Sequence, residues 1–226
     1  MKNLLFTISA SWRIINQFLF GSRCAGCHRP GPAICEKCLL LIPLSDITEH
    51  DGIYGLYDYG NPIVSHSIWN LKYRHRGQEA KLLALKASEL ISEIVAEHLQ
   101  SEKPETIILV PVPQYKKKTQ KRGFNQSEAI AQWITKVLPD SKIENVLEKI
   151  TETLPQSHIS DKKQRIKNIS ETMRMKNPPA DGRKIYIVID DVTTTGATFL
   201  EATRALHSAG ARNILCIALA HGYKRR

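Results

Sequence analysis

The feature that most constrains the fold is an apolar run that ends in two acids and a hydroxyl-rich loop. Residues 184–189 read Lys-Ile-Tyr-Ile-Val-Ile, which is typical of a strand buried on both faces. Asp190 and Asp191 follow, and a loop over 192–198 with three consecutive threonines and one glycine then opens a segment with helical spacing. In open α/β sheets, ligands bind where strands end and helices begin, so this segment predicts a binding site at that edge.

The chain around this segment alternates apolar strands with helices. Apolar runs at 106–110 and 213–220 predict further strands, while 78–100 and 129–137 carry apolar residues at helical spacing. This alternation predicts an α/β fold in which a parallel sheet is flanked by helices. Weaker patterns predict a strand or hairpin at 52–60, a strand at 143–147 and a polar helix at 160–170.

Four of the five cysteines predict a metal site near the N-terminus. They form two Cys-x-x-Cys pairs, namely Cys24 with Cys27 and Cys35 with Cys38. Two such pairs supply four thiolates in a tetrahedron, so we expect a structural Zn²⁺ site. Two disulfides are the alternative, but they need an oxidising compartment and we recognise no export signal. His28 is an alternative ligand, and Cys216 is expected to be a buried strand residue.

The N-terminal region is predicted to form an amphipathic helix ahead of the cysteines. Apolar residues recur at helical spacing over 4–19, and the opposite face is not rich in Lys and Arg. This pattern favours a helix packed on its own protein over an interfacial membrane helix. No uninterrupted apolar run reaches about 18 residues, so we expect no membrane span and a cytoplasmic protein. The expected domains are a helix and zinc-finger domain at 1–45 and an α/β domain at 46–226.

The charge of the chain predicts an anionic partner. Among 226 residues, 32 are Lys or Arg and 22 are Asp or Glu, giving a net charge of +10. This surplus is compatible with a phosphorylated metabolite, a nucleic acid or an acidic lipid. One cluster of cations, at 116–122, directly follows Pro111-Val112-Pro113.

The chemistry of the loop after Asp191 narrows that choice. Loop N–H groups, a helix N-terminus and Thr hydroxyls bind a phosphate, whereas carboxylates accept hydrogen bonds from sugar hydroxyls. Together they predict a site for a ribose 5-phosphate. A nucleoside triphosphatase would need a Gly-x-x-x-x-Gly-Lys-Ser/Thr loop, which this chain lacks. A purely structural helix cap is the remaining alternative, although capping needs fewer polar residues.

Several motifs together carry a resemblance to a known family. The loop resembles the signature of type I phosphoribosyltransferases that binds 5-phosphoribosyl 1-pyrophosphate (PRPP). With the cysteine pairs, Leu71-Lys72-Tyr73, Pro111-Val112-Pro113 and Arg122-Gly123-Phe124-Asn125-Gln126, the chain is similar to the ComF family of competence proteins. The resemblance implies a type I phosphoribosyltransferase fold with an N-terminal zinc finger.

The resemblance also implies roles for individual residues. Asp190 and Asp191 would be the catalytic acids, holding the 2- and 3-hydroxyls of the ribose. The 5-phosphate would be bound by Val192, Thr193, Thr194, Thr195, Gly196, Ala197 and Thr198. The pyrophosphate would lie against Pro111, Val112 and Pro113. The cations that follow, among them Lys116, Lys117 and Arg122, would either close over it or form a solvated basic loop. Mg²⁺ would accompany PRPP, and Zn²⁺ would be held by Cys24, Cys27, Cys35 and Cys38.

Two functions are compatible with these expectations. The first is phosphoribosyl transfer from PRPP to an unidentified acceptor, in a protein that acts in natural competence, DNA uptake and transformation. The second is a non-catalytic competence factor that binds single-stranded DNA, interacts with other competence proteins and uses PRPP only as a ligand. Its basis is the net charge, with aromatic residues such as Tyr73 among the cations.

Overall fold

A computed structural model describes residues 23–45, 47–48, 52–74, 77–99, 106–115, 123–151, 171–177 and 180–222. The chain divides into two compact units, Met1–Pro43 and Leu44–Arg226. The helices expected at 4–19 and 160–170 and the cations at 116–122 lie outside the described residues.

The first unit is built around its cysteines. Arg23 and Pro30 form an isolated antiparallel bridge that returns the chain after the first Cys-x-x-Cys pair. Helix α1 (Glu36–Leu40) follows Cys35 and carries Cys38. Among the described residues of this unit, the buried apolar side chains are few, and they are Cys24, Ala33, Ile34 and Ile42. A core this small is typical of a unit that depends on a metal.

The second unit contains five described helices and eight strands. The helices are α2 (Pro62–Arg74), α3 (Gln78–Lys86), α4 (Ser88–Leu99), α5 (Gln126–Ile134) and α6 (Ala197–Ser208). The strands are β1 (Ile47–Thr48), β2 (Ile53–Gly55), β3 (Ile107–Pro111), β4 (Ser141–Ile143), β5 (Leu147–Lys149), β6 (Met173–Met175), β7 (Ile185–Thr193) and β8 (Asn213–His221). No helix in the described part of the chain is both long and apolar enough to cross a bilayer.

Six strands form one sheet in the order β1-β2-β8-β7-β3-β4. β2, β8, β7, β3 and β4 run parallel to one another, and only the edge strand β1 is antiparallel to its neighbour. β5 and β6 form a separate antiparallel pair. The prediction of an α/β fold with a parallel sheet flanked by helices is therefore confirmed.

Both faces of the central strands are covered, which explains their continuous apolar sequences. Val188 of β7 lies in a core cluster with Phe199 and Leu206 of α6. The alternate residues Ile187 and Ile189 are fully buried as well, and α5 contacts β7. Because successive side chains of a strand point to opposite faces, burial of both sets means that helices cover both sides. Cys216 of β8 is buried, as predicted.

Three predicted boundaries differ from the structure. The helix expected over 78–100 is two helices, because Ala87 has ψ 11° and ends α3 there. The weak strand expected at 143–147 instead spans the end of β4, a connection over 144–146 and the start of β5. The strand of residues 184–189 continues to Thr193, since Val192 and Thr193 still pair with Ala220 and His221 of β8.

Candidate functional site

The acid pair lies at the carboxyl end of the central strand β7. Asp190 is paired in register with Ala218 of β8, and Asp191 is the next residue along the strand. Consecutive strand residues point to opposite faces, so the two carboxylates begin from different sides of the sheet edge. Each is then held by a different neighbouring helix, α5 for Asp190 and α2 for Asp191.

The carboxylate of Asp190 is fixed by two hydrogen bonds to one oxygen. The Ser127 hydroxyl, at the start of α5, donates to Asp190 Oδ1 over 2.9 Å. The Asp191 N–H donates to the same oxygen, also over 2.9 Å. Burial, followed by repulsion from Asp191, raises the pKa of Asp190 to about 7 despite these bonds. Asp190 therefore changes charge close to neutral pH.

The carboxylate of Asp191 is paired with a lysine from another part of the chain. Lys72 Nζ, in the last turn of α2, lies 2.9 Å from Asp191 Oδ1. Burial lowers the pKa of Lys72, but attraction to Asp191 outweighs it, so the pKa is raised overall. Lys72 therefore carries its positive charge at neutral pH.

The hydroxyl-rich loop forms a concave surface beside Asp190. Its lining runs from Val192 to Phe199, and Thr193 and Thr195 are buried within it. Gly196 precedes α6 with φ 70°, in the left-handed region that favours glycine. This turn brings the N-terminus of α6 beside the acid pair, and the Ala197 N–H there donates to Thr195 Oγ1 over 3.4 Å.

The end of β8 closes on this loop at a second glycine. The Gly222 N–H donates to the Thr193 carbonyl over 2.7 Å. A Cβ on Gly222 would lie 2.9 Å from Thr194 Cγ2, so a side chain there would push the loop outward. Contacts with the end of β8 thus hold one side of the loop over 192–198. Its concave side faces away from them.

The loop after β3 lies next to the acid pair. Pro111 is in register with Ile189, and the Val112 N–H donates to the Ile189 carbonyl over 2.9 Å. The Asn125 side chain donates to the Val112 carbonyl over 3.0 Å and accepts from the Ser127 N–H over 3.1 Å. Asn125 therefore caps α5 and ties it to this loop, which explains part of the Arg122–Gln126 motif.

The predicted site residues are thus only partly placed. Asp190, Asp191, the loop over 192–198 and the segment 111–113 lie at one edge of the sheet. Lys116, Lys117 and Arg122 fall outside the described residues. Sequence reasoning missed Ser127, although it directly follows the Arg122–Gln126 motif. It assigned no role to Lys72, although the Leu71-Lys72-Tyr73 motif contains it.

The four predicted cysteines converge in the first unit. The sulfurs of Cys24, Cys27, Cys35 and Cys38 all lie within 4.8 Å of one another. The Cys27 and Cys35 sulfurs are 3.8 Å apart. In a tetrahedral site with Zn–S bonds of about 2.3 Å, the sulfurs are separated by about 3.8 Å. All five cysteines are free thiols, and His28 is not among the cluster.

The backbone around Cys24 favours a thiolate. The N–H groups of Gly26 and Cys35 donate to Cys24 Sγ over 3.4 and 3.3 Å. Burial opposes ionisation, but the backbone hydrogen bonds outweigh it and lower the pKa of Cys24 to about 6. At the other end of the cluster, hydrogen bonding to Cys35 and burial raise the pKa of Cys38 to about 12. Because four thiolates repel one another without a cation, this donor set fits a soft divalent metal.

No family model matches the chain, but curated relatives do. The DNA utilization protein YhgH of Escherichia coli O157:H7 is 30% identical over 181 residues, covering 80% of this chain and 74% of the relative. Competence protein ComFC of Bacillus subtilis is 27% identical over 84% of this chain and 73% of the relative. Competence protein F of Haemophilus influenzae is 32% identical over 54% of this chain and 52% of the relative.

Solved structures offer a weaker likeness. A purine phosphoribosyltransferase from Pyrococcus horikoshii Ot3 is 15% identical, with 63% of this chain and 84% of that chain covered. The TM-score is 0.28, which is too low to support any detail of the site.

Proposed function

Since this chain belongs to the ComF and YhgH family of competence and DNA utilization proteins, we propose that its second unit binds PRPP with Mg²⁺ and transfers the phosphoribosyl group. The observation that carries the proposal is the acid pair of β7 beside the concave loop of residues 192–199. One ligand that matches both features is a ribose carrying vicinal hydroxyls and a 5-phosphate.

The acid pair supplies two acceptors for the two hydroxyls. Asp190 Oδ1 accepts from Ser127 and Asp191 Oδ1 is paired with Lys72. Within the described part of the chain these contacts engage Oδ1 of each carboxylate, and we propose that each Oδ2 accepts a ligand hydroxyl. A vicinal diol would donate one hydrogen bond to each, which fixes the sugar ring in one orientation.

The phosphate ends of the ligand have separate partners in the proposal. The 5-phosphate would accept hydrogen bonds from the loop at Thr194 and Thr195 and from the N-terminus of α6. The pyrophosphate would lie along Pro111-Val112-Pro113, which the Val112–Ile189 hydrogen bond holds beside the acid pair. The carboxylates of Asp190 and Asp191 are the hard oxygen donors that Mg²⁺ prefers, and Mg²⁺ bound with PRPP would supply positive charge against the pyrophosphate.

Transfer would break the bond between the ribose C1 and the pyrophosphate oxygen and form a bond from C1 to the acceptor nitrogen, which would release its proton to solvent. Positive charge develops on the ribose ring as pyrophosphate leaves. In this proposal the two carboxylates would stabilise that charge, and the fixed sugar would keep C1 in line with the acceptor.

The direct test is release of pyrophosphate from PRPP and Mg²⁺ with a panel of nucleobase and amine acceptors. We expect PRPP to raise the melting temperature of the protein and one acceptor class to release pyrophosphate. The double variant Asp190→Ala/Asp191→Ala should lose both effects. A wild-type protein whose melting temperature is unchanged by PRPP would contradict the proposal.

We also propose zinc as the metal of the first unit. The sulfur spacing of 3.8 Å and the all-cysteine donor set support a structural Zn(Cys)4 site with no open position for catalysis. Measurement of about one zinc per purified chain would agree, and absence of zinc from protein purified without chelators would contradict it.

A second candidate function, binding of single-stranded DNA, is favoured by the outer face of α2. Trp69 and Tyr73 are 43% and 58% exposed, and their ring centroids are 5.7 Å apart. Residues 62–76 include five Lys, Arg and His residues and no acid. Exposed aromatic rings among cations bind unpaired bases by stacking and phosphates by charge.

This candidate is tested with a fluorescent oligothymidine at several salt concentrations. Trp69→Ala/Tyr73→Ala should weaken binding by about 2–6 kcal/mol if both rings stack on bases. Ile150→Ala is the matched control, because Ile150 is also exposed (47%) but follows the end of β5 and is not part of α2. Equal DNA affinity of the aromatic variant and the control would exclude α2 as the binding face.

A further inference from the structure

Lys72 occupies an unusual position, because it brings a positive charge to a pair of acids that would bind an anion. It lies on α2, whose inner face is buried through Val64, Ile68 and Leu71. The Lys72 ammonium extends from α2 to Asp191 on β7. The ion pair therefore joins a helix to a strand of the sheet. The side chains of Lys72 and Asp191 are 25% and 11% exposed, so the pair is shielded but still reached by solvent.

The negative charges of the acid pair repel the phosphorylated ligand that the loop over 192–198 favours. Asp190 and Asp191 contribute two negative charges when both are ionised, and PRPP carries several more. Lys72 is attracted to both acids, more strongly to Asp191, and its presence also favours ionisation of Asp190. At short range in a shielded site, one such cation changes the energy of an approaching anion considerably.

We propose that Lys72 is a positioning and specificity-determining residue that makes the acid pair accept a highly charged phosphorylated diol. Its bond to Oδ1 orients Asp191 so that Oδ2 stays available to a ligand hydroxyl. Its charge offsets the repulsion between the acid pair and the pyrophosphate. This inference rests on the proposed PRPP site and adds to it the residue that selects the charge of the ligand.

A comparison of two ligands distinguishes a charge role of Lys72 from a packing role. Ribose 5-phosphate carries the same diol and 5-phosphate as PRPP but lacks the pyrophosphate. If Lys72 offsets charge, its loss harms PRPP binding more than ribose 5-phosphate binding. If Lys72 only packs α2 against the sheet, its loss harms both ligands equally.

The experiment is calorimetry with Mg²⁺ on the full chain, for wild type and for Lys72→Met, Lys72→Gln and Lys72→Arg. Methionine keeps the apolar stem, glutamine keeps a hydrogen-bond donor without charge, and arginine keeps the charge. We expect Met and Gln to weaken PRPP binding by about 30-fold and ribose 5-phosphate binding by about fivefold, and arginine to recover most of the loss. Lys142→Met is the control, since Lys142 is exposed on the edge strand β4.

Salt gives a second readout that packing alone would not move. Raising the ionic strength should narrow the difference between wild type and Lys72→Met, because salt screens the charge that was removed. Equal losses for both ligands, a salt-independent loss, or PRPP binding by Lys72→Gln as tight as by wild type would overturn the inference. Failure of the wild type to bind either ligand would instead overturn the proposed PRPP site, and this inference with it.

Discussion

The two candidate sites of this chain are assembled in different ways. All four cysteines of the first unit fall between Cys24 and Cys38, and local turns bring their sulfurs within 4.8 Å. At the acid pair, Asp190 and Asp191 are adjacent, but their partners Ser127 and Lys72 come from two distant helices. Spacing in the sequence therefore identifies all the residues of the cysteine cluster. The charged and hydrogen-bonded partners of the acid pair are brought to it only when the chain folds.

This difference predicts different failures when each site is disturbed. A local site with a small core should lose its fold when its metal is removed. A site built on a large parallel sheet should keep its fold and change only its binding and its pH dependence. Three perturbations test this contrast, in order of decreasing effect.

Removal of the metal should have the largest effect, confined to the first unit. Cys24→Ser takes away a buried ligand, and structural zinc in such small units contributes about 10 kcal/mol or more to folding. Hydrogen exchange should show loss of protection at the Cys24 and Ala25 amides and unchanged protection in β7 and β8. Cys216→Ala is the matched control, because it removes a cysteine outside the cluster and should leave the metal content unchanged. Loss of protection in β7 as well would contradict the contrast.

Replacement of Asp190 should stabilise the fold while it destroys the site. The pKa of Asp190 is raised to about 7 in the fold, so the protein loses stability as the pH rises from the ordinary Asp pKa of about 4 to about 7. Asp190→Asn removes this cost and keeps an oxygen for Ser127, so it should stabilise the protein by roughly 1–3 kcal/mol at pH 8. The sign follows from the raised pKa, because the unfolded carboxyl ionises first. The gain should therefore grow as the pH rises from about 4 to about 7 and then level off.

Thermal unfolding of wild type and Asp190→Asn at several pH values from 4 to 9 measures this gain. Asp181→Asn is a useful contrast, because the hydrogen bonds of Arg183 lower the pKa of Asp181 and its ionised form is stabilising. If the stability gained by Asp190→Asn became smaller as the pH rises, the pKa of Asp190 would not be raised in the folded protein.

Loss of the Ser127 hydroxyl should have the smallest effect. That hydroxyl stabilises the ionised form of Asp190, so Ser127→Ala should raise the pKa of Asp190 further. The pH at which PRPP binding reaches half its maximum should move upward by roughly 0.5–1 unit, which corresponds to about 1 kcal/mol. Ser92→Ala, which removes an exposed hydroxyl bonded within α4, should leave the pH profile unchanged. A downward shift for Ser127→Ala would contradict the assigned contact.

The parts of the fold that were predicted from sequence share a physical cause. The apolar runs of β3, β7 and β8 are continuous because both faces of these strands are buried, and such runs identify a parallel sheet. The turn at Ala87 gives no such signal, since alanine is a strong helix former and α3 nonetheless ends there.

The same limit applies to the candidate site. The acids and the loop of 192–198 were identified because they follow one another in sequence. Ser127 was missed because its contact with Asp190 depends on how Asn125 ties α5 to the loop after β3. The pairing of Lys72 with Asp191 depends on the position of α2, which no spacing in the sequence encodes.

The most direct test of the central claim is calorimetric titration of PRPP with Mg²⁺ into wild type and into Asp190→Asn/Asp191→Asn. The double variant keeps the size and hydrogen-bonding oxygens of both side chains but removes their charges. We predict one PRPP per wild-type chain and at least about 100-fold weaker binding by the folded double variant, because two charged acceptors for the diol are lost. Equal binding by both proteins, or no binding by the wild type, would contradict the claim that the acid pair of β7 is the ligand site.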